Sequence, residues 1–319
     1  MKMDVLIMGE MLVEIMRVQE NVELDTEGVF RGPFPSGAPV IFIDTVARLG
    51  HKTAIIGGVG KDDFGRNILD RLEKDGVNCQ HVIESEKCAT GVAFVTYFDD
   101  GSRKFIFHMG NTPAVQAKAP APNAFPDVKY MHIMGCSLMS NIAFAREILK
   151  TMKMLIESGT QISFDPNIRK ELFTEEATSQ IIQEVFENTS VFLPGHEELL
   201  LITNQDTIEK AIKVCFAQPK MKIIALKNGS KGSVIYTRTE THKIGTYPVQ
   251  QVDATGAGDC FDAAFISGLL DGKDIEQVGK MAAAAGAINA AAFGPAEGDI
   301  TQETIRNMIE KNSHFLSKH

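Results

Sequence analysis

A glycine-rich segment near the end of the chain has the residue types and spacing of an anion-binding turn. It covers residues 252–259 and reads Val-Asp-Ala-Thr-Gly-Ala-Gly-Asp, and apolar residues follow it at helical spacing. The segment therefore precedes a helix N-terminus, where backbone N–H groups without helical partners and the positive end of the helix dipole attract anions. The amides of Gly256, Ala257 and Gly258 are the predicted donors to a phosphate group.

Asp259 stands at the end of this segment, within the positive field of the predicted helix. A carboxylate in that field stays ionised and can accept a proton from a hydroxyl group placed beside the phosphate. A purely structural interpretation also fits, because aspartate is a favoured N-cap and glycine-rich turns are common. The sequence contains no P-loop motif with its lysine, so the predicted phosphate site is of another type.

The rest of the chain supplies the elements that would position these residues. Apolar runs of strand length alternate with longer segments of helical period, which predicts an α/β protein with a mostly parallel sheet. The predicted strands are residues 4–9, 53–58, 129–135, 161–165, 190–194, 222–226 and 233–237. The predicted helices are residues 40–49, 64–72, 141–157, 176–187, 206–216, 260–271, 275–293 and 301–312.

Two β-rich segments, at about 10–35 and 88–112, interrupt this alternation. The second alternates with a period of two around Asp99-Asp100-Gly101, which is typical of a β-hairpin. Two such segments that leave one α/β body are expected to pair into a small sheet, and a cleft forms where that sheet overhangs the strand ends. We therefore expect residues 1–319 to form a single domain with the small sheet as its lid.

The composition excludes several classes of protein. Hydrophobic residues make up 44% of the chain and charged residues 23%, which argues against disordered and membrane-embedded proteins. The net charge of −9 argues against a nucleic acid partner. The five cysteines form no C-x-x-C pair, which predicts reduced thiols and a cytoplasmic location. The first apolar run, 5–8, is too short for a signal peptide or membrane span.

The string Val-Asp-x-Thr-Gly-Ala-Gly-Asp-x-Phe at 252–261 resembles the signature of the ribokinase-like, pfkB-type carbohydrate kinases. Four further segments resemble that family in order and spacing, namely 35–50, 57–65, 164–169 and 227–232. The resemblance implies a ribokinase-like three-layer α/β/α body with a mostly parallel central sheet and a small β-sheet lid.

The resemblance also implies a reaction. It is the transfer of the γ-phosphate of ATP, with Mg²⁺, to a hydroxyl group of a sugar, with Asp259 as the general base. The amides of residues 256–258 would stabilise the charge that develops during the transfer, and the lid would exclude water.

Other residues fall where the family binds its ligands. The resemblance implies that the sugar contacts Gly9, Glu10, Glu14, Gly37, Ala38, Arg103, Asn167 and Arg169. It implies that the nucleotide contacts Lys227, Gly229, Gly232 and Asn289. It further implies that Glu198 holds Mg²⁺ through water and that Asp253 and Thr255 are candidate ligands of a monovalent cation such as K⁺.

Structural alternatives remain open for several of these residues. Glu10 also fits a surface position at a strand end, and Arg103 fits a solvated charge on a hairpin. Arg169 can pair with a nearby carboxylate, and Asn167 can cap the turn that follows it. Asn289 also fits a buried helix position.

Two positions depart from the family pattern. Ile41 replaces an asparagine that often contacts the sugar, and Gly195 replaces the asparagine of an Asn-x-x-Glu motif that retains Glu198. Water can occupy the space of the missing amide, since Mg²⁺ usually keeps several waters.

Residues 32–39, together with this Gly-x-x-Glu form, look most like a branch assigned to ketohexoses such as tagatose. Fructose and 2-keto-3-deoxygluconate are close competitors, and a nucleoside is less favoured. A sensor without catalytic activity is a further alternative, although the intact segment 256–259 argues against it. A dinucleotide-dependent oxidoreductase is excluded because no G-x-G-x-x-G follows the first strand. We also expect a homodimer formed through the lid.

Overall fold

The computed structural model describes residues 2–168 and 176–312, which contain thirteen strands and ten α-helices. The strands are β1 Lys2–Met8, β2 Leu12–Arg17, β3 Phe30–Ser36, β4 Thr53–Gly60, β5 Val77–Ser85, β6 Gly91–Tyr97, β7 Arg103–His108, β8 Asp127–Met134, β9 Gln161–Asp165, β10 Val191–Phe192, β11 Ile223–Lys227, β12 Ser233–Thr237 and β13 Thr241–Ile244. The helices are α1 Ala38–Arg48, α2 Asp63–Lys74, α3 Gly135–Ser140, α4 Ile142–Glu157, α5 Glu176–Asn188, α6 His196–Thr203, α7 Ile208–Ala217, α8 Ala257–Leu270, α9 Ile275–Ala290 and α10 Gln302–Lys311.

The large sheet has nine strands in the order β13-β12-β11-β10-β9-β8-β1-β4-β5. The seven strands from β11 to β5 are parallel, and β12 and β13 extend the sheet as an antiparallel edge. The helices α1, α8, α9 and α10 pack together, α3, α4 and α5 form another group, and α6 packs against α7. The α/β fold with a mostly parallel sheet is therefore confirmed.

Burial explains why the central strands were predictable. Every residue of β4 is buried, and β1 is nearly so, because helices cover both faces of a parallel sheet. The sequence pattern does not predict the edge strands β5 and β13, whose residues are mostly half-buried or exposed. It also misses the short helices α3 and α6, and it starts α8 three residues too late.

A second sheet of four strands has the order β3-β2-β6-β7. Its strands β6 and β7 form the antiparallel hairpin that the alternating pattern predicts, and β2 pairs in parallel with β6. The chain enters this sheet directly after β1, so the sheet stands beside the carboxyl ends of the parallel strands. The predicted small sheet is therefore present.

Two further observations concern the chain as a whole. All five cysteines lie within the described residues, and each is a free thiol. In the same part of the chain, no helix combines the length and the apolar character that a membrane crossing requires.

Candidate active site

The carboxyl ends of the parallel strands bring together most of the predicted site residues. Glu10 follows β1, Asn167 follows β9, Glu198 lies just beyond β10, and Lys227 ends β11. All four line a cavity of about 230 Å³ between the strand ends and the second sheet. This is the position at which open parallel sheets bind ligands.

The glycine-rich turn forms the start of α8 at this cavity. Gly256 is the N-cap, and its φ of 73° lies in the left-handed region, where glycine is favoured. A side chain at Gly256 would also collide with the carbonyl oxygen of Pro295. Gly258 differs, because a Cβ there would meet no atom within 4 Å and would project into open space. The turn therefore leaves room for a ligand to approach its backbone amides.

Asp259 lies in the first turn of α8 and is largely buried beside the cavity. The Nδ2 of Asn167 donates a hydrogen bond of 3.1 Å to Oδ1 of Asp259. Asn167 has a positive φ of 39° and also contacts the Asp165 carboxylate through its backbone N–H and its side chain. These contacts fix the Asp259 carboxylate at the end of the sheet.

A buried ionic network lies beneath the cavity. The Nζ of Lys227 is 3.1 Å from Oδ2 of Asp165 and 2.8 Å from Oδ2 of Asp262. Burial opposes the charge on Lys227, but the neighbouring carboxylates raise its pKa above the usual value. Burial raises the pKa of Asp262 well above its usual value despite the adjacent ammonium group. Burial also opposes ionisation of Asp165, yet Lys227 keeps the pKa of Asp165 below its usual range.

Glu198 ties two of the strand-end loops together. Its Oε1 accepts a hydrogen bond of 2.7 Å from the backbone N–H of Ile168, and its Oε2 accepts one of 2.7 Å from Gly195. Burial and the charge of Asp165 raise the pKa of Glu198. Gly195 contributes its backbone here, so the loss of the asparagine side chain does not remove this contact.

The second sheet and α1 supply the remaining walls of the cavity. The predicted sugar contacts Glu14, Gly37, Ala38 and Arg103 line it, as does Glu10, whose carboxylate accepts hydrogen bonds from Cys136 and Ser137. Gly9, also predicted as a sugar contact, is not among the lining residues of this cavity. It packs closely against α1, because a side chain at this position would collide with Pro39. The second sheet, α1 and the residue after β7 also supply apolar lining, namely Leu12, Ile41, Phe105, Phe107 and Met109.

Arg169, also predicted as a sugar contact, lies outside the described residues.

A second cavity of about 410 Å³ lies on the other side of the glycine-rich turn, and most of its lining is apolar. The predicted nucleotide contacts Gly229 and Gly232 line it. Three residues, Lys227, Ala254 and Gly258, line both cavities. The two cavities therefore meet at the start of α8.

Asn289 was expected in the nucleotide pocket, but the structure gives it another position. It is fully buried, and its Nδ2 donates hydrogen bonds of 2.8 Å to the Thr255 carbonyl and 3.0 Å to the Pro295 carbonyl. Its Oδ1 accepts a hydrogen bond from the backbone of Gly298. Asn289 thus holds together the loops that flank the glycine-rich turn.

The oxygens predicted to bind a monovalent cation already accept hydrogen bonds. The carboxylate of Asp253 accepts hydrogen bonds from the backbone N–H groups of Thr255 at 2.9 Å and of Gly294 at 3.1 Å. The carbonyl of Thr255 accepts a hydrogen bond from Asn289. Each of these oxygens has a second lone pair, so a monovalent cation at Asp253 and Thr255 stays a prediction.

Several residues of the site were not predicted from the sequence. Asp262 lies one helical turn beyond Asp259, and this spacing could have indicated that both face the sheet. Tyr97, Phe105 and Phe107 belong to the alternating hairpin, but alternation alone does not show which face covers the cavity. Cys136 carries no sequence signal of a site.

Comparisons with known proteins agree with this geometry. Residues 2–302 match the model of the pfkB family of carbohydrate kinases. The chain is 30% identical over 313 residues to Fructokinase-1 of Oryza sativa subsp. japonica, with 95% of this chain and 96% of that protein covered. It is 30% identical over 287 residues to Probable fructokinase-5 of Arabidopsis thaliana, with 88% of each chain covered.

Among solved structures, a putative Ribokinase II from E. coli in its apo form superimposes with a TM-score of 0.92 at 37% identity, covering 97% of this chain and 99% of that chain. The same protein in complex with ATP and Mg²⁺ superimposes with a TM-score of 0.91. The ribokinase-like fold is therefore confirmed. The chain belongs to the pfkB family of carbohydrate kinases and is a phosphotransferase with an alcohol group as acceptor.

Proposed function

We propose that this chain transfers the γ-phosphate of ATP to a hydroxyl group of a neutral ketohexose such as fructose or tagatose. The observation that carries the proposal is the junction of the two cavities at Gly258 and Lys227, with Asp259 beside it. A sugar in the first cavity and a nucleotide in the second would bring hydroxyl and γ-phosphate together at this junction. The fructokinase relatives and the ATP complex of the structural neighbour support both ligand assignments.

The chain's own residues perform distinct tasks in this proposal. Asp259 accepts the proton of the attacking hydroxyl group, and Asn167 orients the Asp259 carboxylate. The backbone amides of residues 256–258 stabilise the charge on the transferred phosphoryl group, because this turn borders both cavities at the positive end of α8. The second sheet covers the sugar and limits the access of water, which would otherwise act as the acceptor.

Mg²⁺, when bound, neutralises charge on the phosphate oxygens. Glu198 would hold it through water, since both of its oxygens bind backbone N–H groups and retain further lone pairs. Among residues 2–168 and 176–312, no group of three or more His, Cys, Asp or Glu side chains could hold a metal ion. This agrees with the usual mode for Mg²⁺, in which phosphates and waters supply most ligands.

The charge of the sugar cavity favours a neutral substrate over a sugar acid. The described lining contains two cationic side chains, Arg103 and Lys227, and Lys227 is already paired with carboxylates. The same lining contains the five carboxylates of Glu10, Glu14, Asp165, Glu198 and Asp259. A substrate carboxylate would be repelled by this excess of negative charge. A ketohexose is therefore favoured over 2-keto-3-deoxygluconate.

A coupled assay of ADP release over ketohexoses, aldohexoses, sugar acids and nucleosides tests the substrate class. We expect turnover with a ketohexose and lower kcat/KM with 2-keto-3-deoxygluconate. ATP binding without turnover across the whole panel would instead favour a sensor. The sensor is the alternative that Ile41 and Gly195 raise, because each replaces an asparagine of the family pattern.

The substitution Asp259→Asn tests the catalytic base. It keeps the size of the side chain but removes its basicity, so kcat should fall by roughly 10²–10⁴-fold while the affinity for ATP changes little. Asp70→Asn, an exposed position on α2, is the matched control and should leave kcat unchanged. An undiminished kcat in Asp259→Asn would exclude Asp259 as the base.

We also propose that the outer face of the second sheet is the interface of a homodimer. Phe94 and Ile106 are direct cross-strand partners on the face opposite Phe105 and Phe107. Phe30 packs against Phe94 on the outer face, and Ile106 is 41% exposed. A second copy placed on this face would bury these apolar side chains.

A further inference from the structure

The second sheet contacts the glycine-rich turn through two side chains at the end of its hairpin. Tyr97 is the last residue of β6, Arg103 is the first of β7, and the two are direct cross-strand partners. The Oη of Tyr97 lies 2.9 Å from Oγ1 of Thr255 and 3.4 Å from Oδ2 of Asp253. Nη1 of Arg103 donates a hydrogen bond of 3.2 Å to the same Thr255 hydroxyl.

One arrangement of protons satisfies all of these contacts. Arg103 can only donate, so Oγ1 of Thr255 accepts a hydrogen bond from it and donates one to Oη of Tyr97. Tyr97 in turn donates to the carboxylate of Asp253. Burial raises the pKa of Tyr97 above its usual value, so the phenol keeps its proton and remains a donor. The hairpin is thus joined to the turn by a directed chain of hydrogen bonds.

Thr255 is held equally firmly from the body of the protein. Its backbone N–H binds Oδ1 of Asp253 at 2.9 Å, and its carbonyl binds Nδ2 of Asn289 at 2.8 Å. The next residue, Gly256, is the N-cap of α8, so Thr255 directly precedes the proposed phosphate-binding amides. A displacement of the hairpin therefore acts directly on the residue that sets the direction of these amides.

We propose that Tyr97 is a positioning residue that latches the second sheet to the glycine-rich turn, so that closure over the sugar and alignment of the phosphate-binding amides occur together. The latch makes binding of sugar and binding of nucleotide favour one another, and such coupling is reciprocal. The inference rests on the proposed kinase function, but it concerns a residue that touches neither reacting group.

The substitution Tyr97→Phe removes the hydroxyl group and keeps the ring. We expect kcat for the sugar to fall by about tenfold, the cost of a lost buried hydrogen bond. We also expect the ratio of ATP hydrolysis to sugar phosphorylation to rise, because a loosened sheet admits water. Tyr236→Phe on β12, at the far edge of the large sheet, is the matched control and should change neither quantity.

A binding measurement tests the latch without turnover. Calorimetry of ADP with Mg²⁺, in the presence and absence of the preferred ketohexose, gives the factor by which the sugar raises nucleotide affinity. That factor should approach one in Tyr97→Phe and stay at its original value in Tyr236→Phe. The measurement remains informative if the wild-type chain binds both ligands but phosphorylates no sugar, an outcome that overturns the proposed function alone.

Variants of Thr255 test the contact from the other side. Thr255→Ser keeps the hydroxyl and should retain the coupling, whereas Thr255→Val removes it and should lose the coupling. Tyr97→Phe should then have little further effect in the Thr255→Val background, because both changes break the same chain of hydrogen bonds. Equal coupling in the wild type, Tyr97→Phe and Thr255→Val would overturn the latch, as would fully additive effects in the double variant.

Discussion

At the scale of single residues, the network around Lys227 is the most demanding part of the site. Its ammonium group lies between the carboxylates of Asp165 and Asp262, and both carboxylates are almost fully buried. Removing one member of a buried ionic group leaves the others without a counter-charge, and this costs more than the pair itself contributes. Lys227 also lines both cavities, so the same residue belongs to the ionic network and borders both proposed ligand sites.

We expect Lys227→Met to lower the free energy of unfolding by about 3–5 kcal/mol, because two buried carboxylates lose their cation. Urea denaturation measures this loss, and Lys243→Met on the exposed face of β13 is the matched control. Adding Asp262→Asn should restore part of the lost stability, since an amide, unlike a carboxylate, needs no cation beside it. If Lys227→Met and Lys243→Met were equally stable, the network would have no such role.

The sequence predicts some of these residues and not others, for a physical reason. The local motif points to Gly258 and Asp259, because each depends on a backbone conformation that its neighbours determine, and the family resemblance points to Glu198. Lys227 was predicted beside the nucleotide, but its position between two carboxylates depends on the pairing of β11 with β10 and on the packing of α8. The prediction that Asn289 lines the nucleotide pocket fails for a similar reason, because its partners Thr255, Pro295 and Gly298 come together only in the folded chain.

At the scale of elements, the hairpin β6–β7 has two faces with different tasks. Alternation along β7 places Phe105 and Phe107 over the sugar cavity and Ile106 on the outside. The sequence pattern predicts the hairpin but does not show which face covers the site. Edge strands such as β5 are harder to predict still, because only one side of them is packed and their composition is mixed.

The outer face of this hairpin yields a prediction about assembly. Sedimentation should give about twice the monomer mass of 34.9 kDa for the wild-type chain and the monomer mass for Ile106→Glu. The substitution places a charge in the centre of the proposed apolar interface, where it would have no partner. Leu201→Glu on α6, an exposed apolar position outside the second sheet, should remain dimeric. A wild-type chain that sediments as a monomer would contradict the proposed interface.

At the scale of the whole molecule, a buried carboxyl group connects the helices to the loop behind the active site. Asp44 on α1 is 1% exposed and lies 3.2 Å from Nη2 of Arg71 on α2. Arg71 also donates to the carbonyl of Ala296, and Arg48 donates to the same carbonyl and to that of Gly298. Burial raises the pKa of Asp44 to about 7 although Arg71 lies beside it.

This raised pKa predicts that stability depends on pH. An aspartate in the unfolded chain ionises near pH 4, whereas Asp44 in the folded chain ionises only near pH 7. The contribution of protonated Asp44 to the free energy of unfolding is therefore present at low pH and is lost as the pH rises through 7. Between pH 5 and pH 8 the wild type should lose about 3 kcal/mol more stability than Asp44→Asn. Urea denaturation at both pH values measures the difference, and equal losses would contradict it.

The parallel pairing of β2 with β6 has a consequence for how the chain folds. Leu12 pairs with Gly91, and the intervening chain includes β3, α1, β4, α2 and β5, four of which belong to the body of the protein. Closing so long a loop costs entropy before any contact of the pair forms, so the body must bring the two strands together first. We therefore expect the floor of the active site to assemble before its cover when the full chain refolds. The anion-binding turn would then exist for a time with nothing to shield it from water.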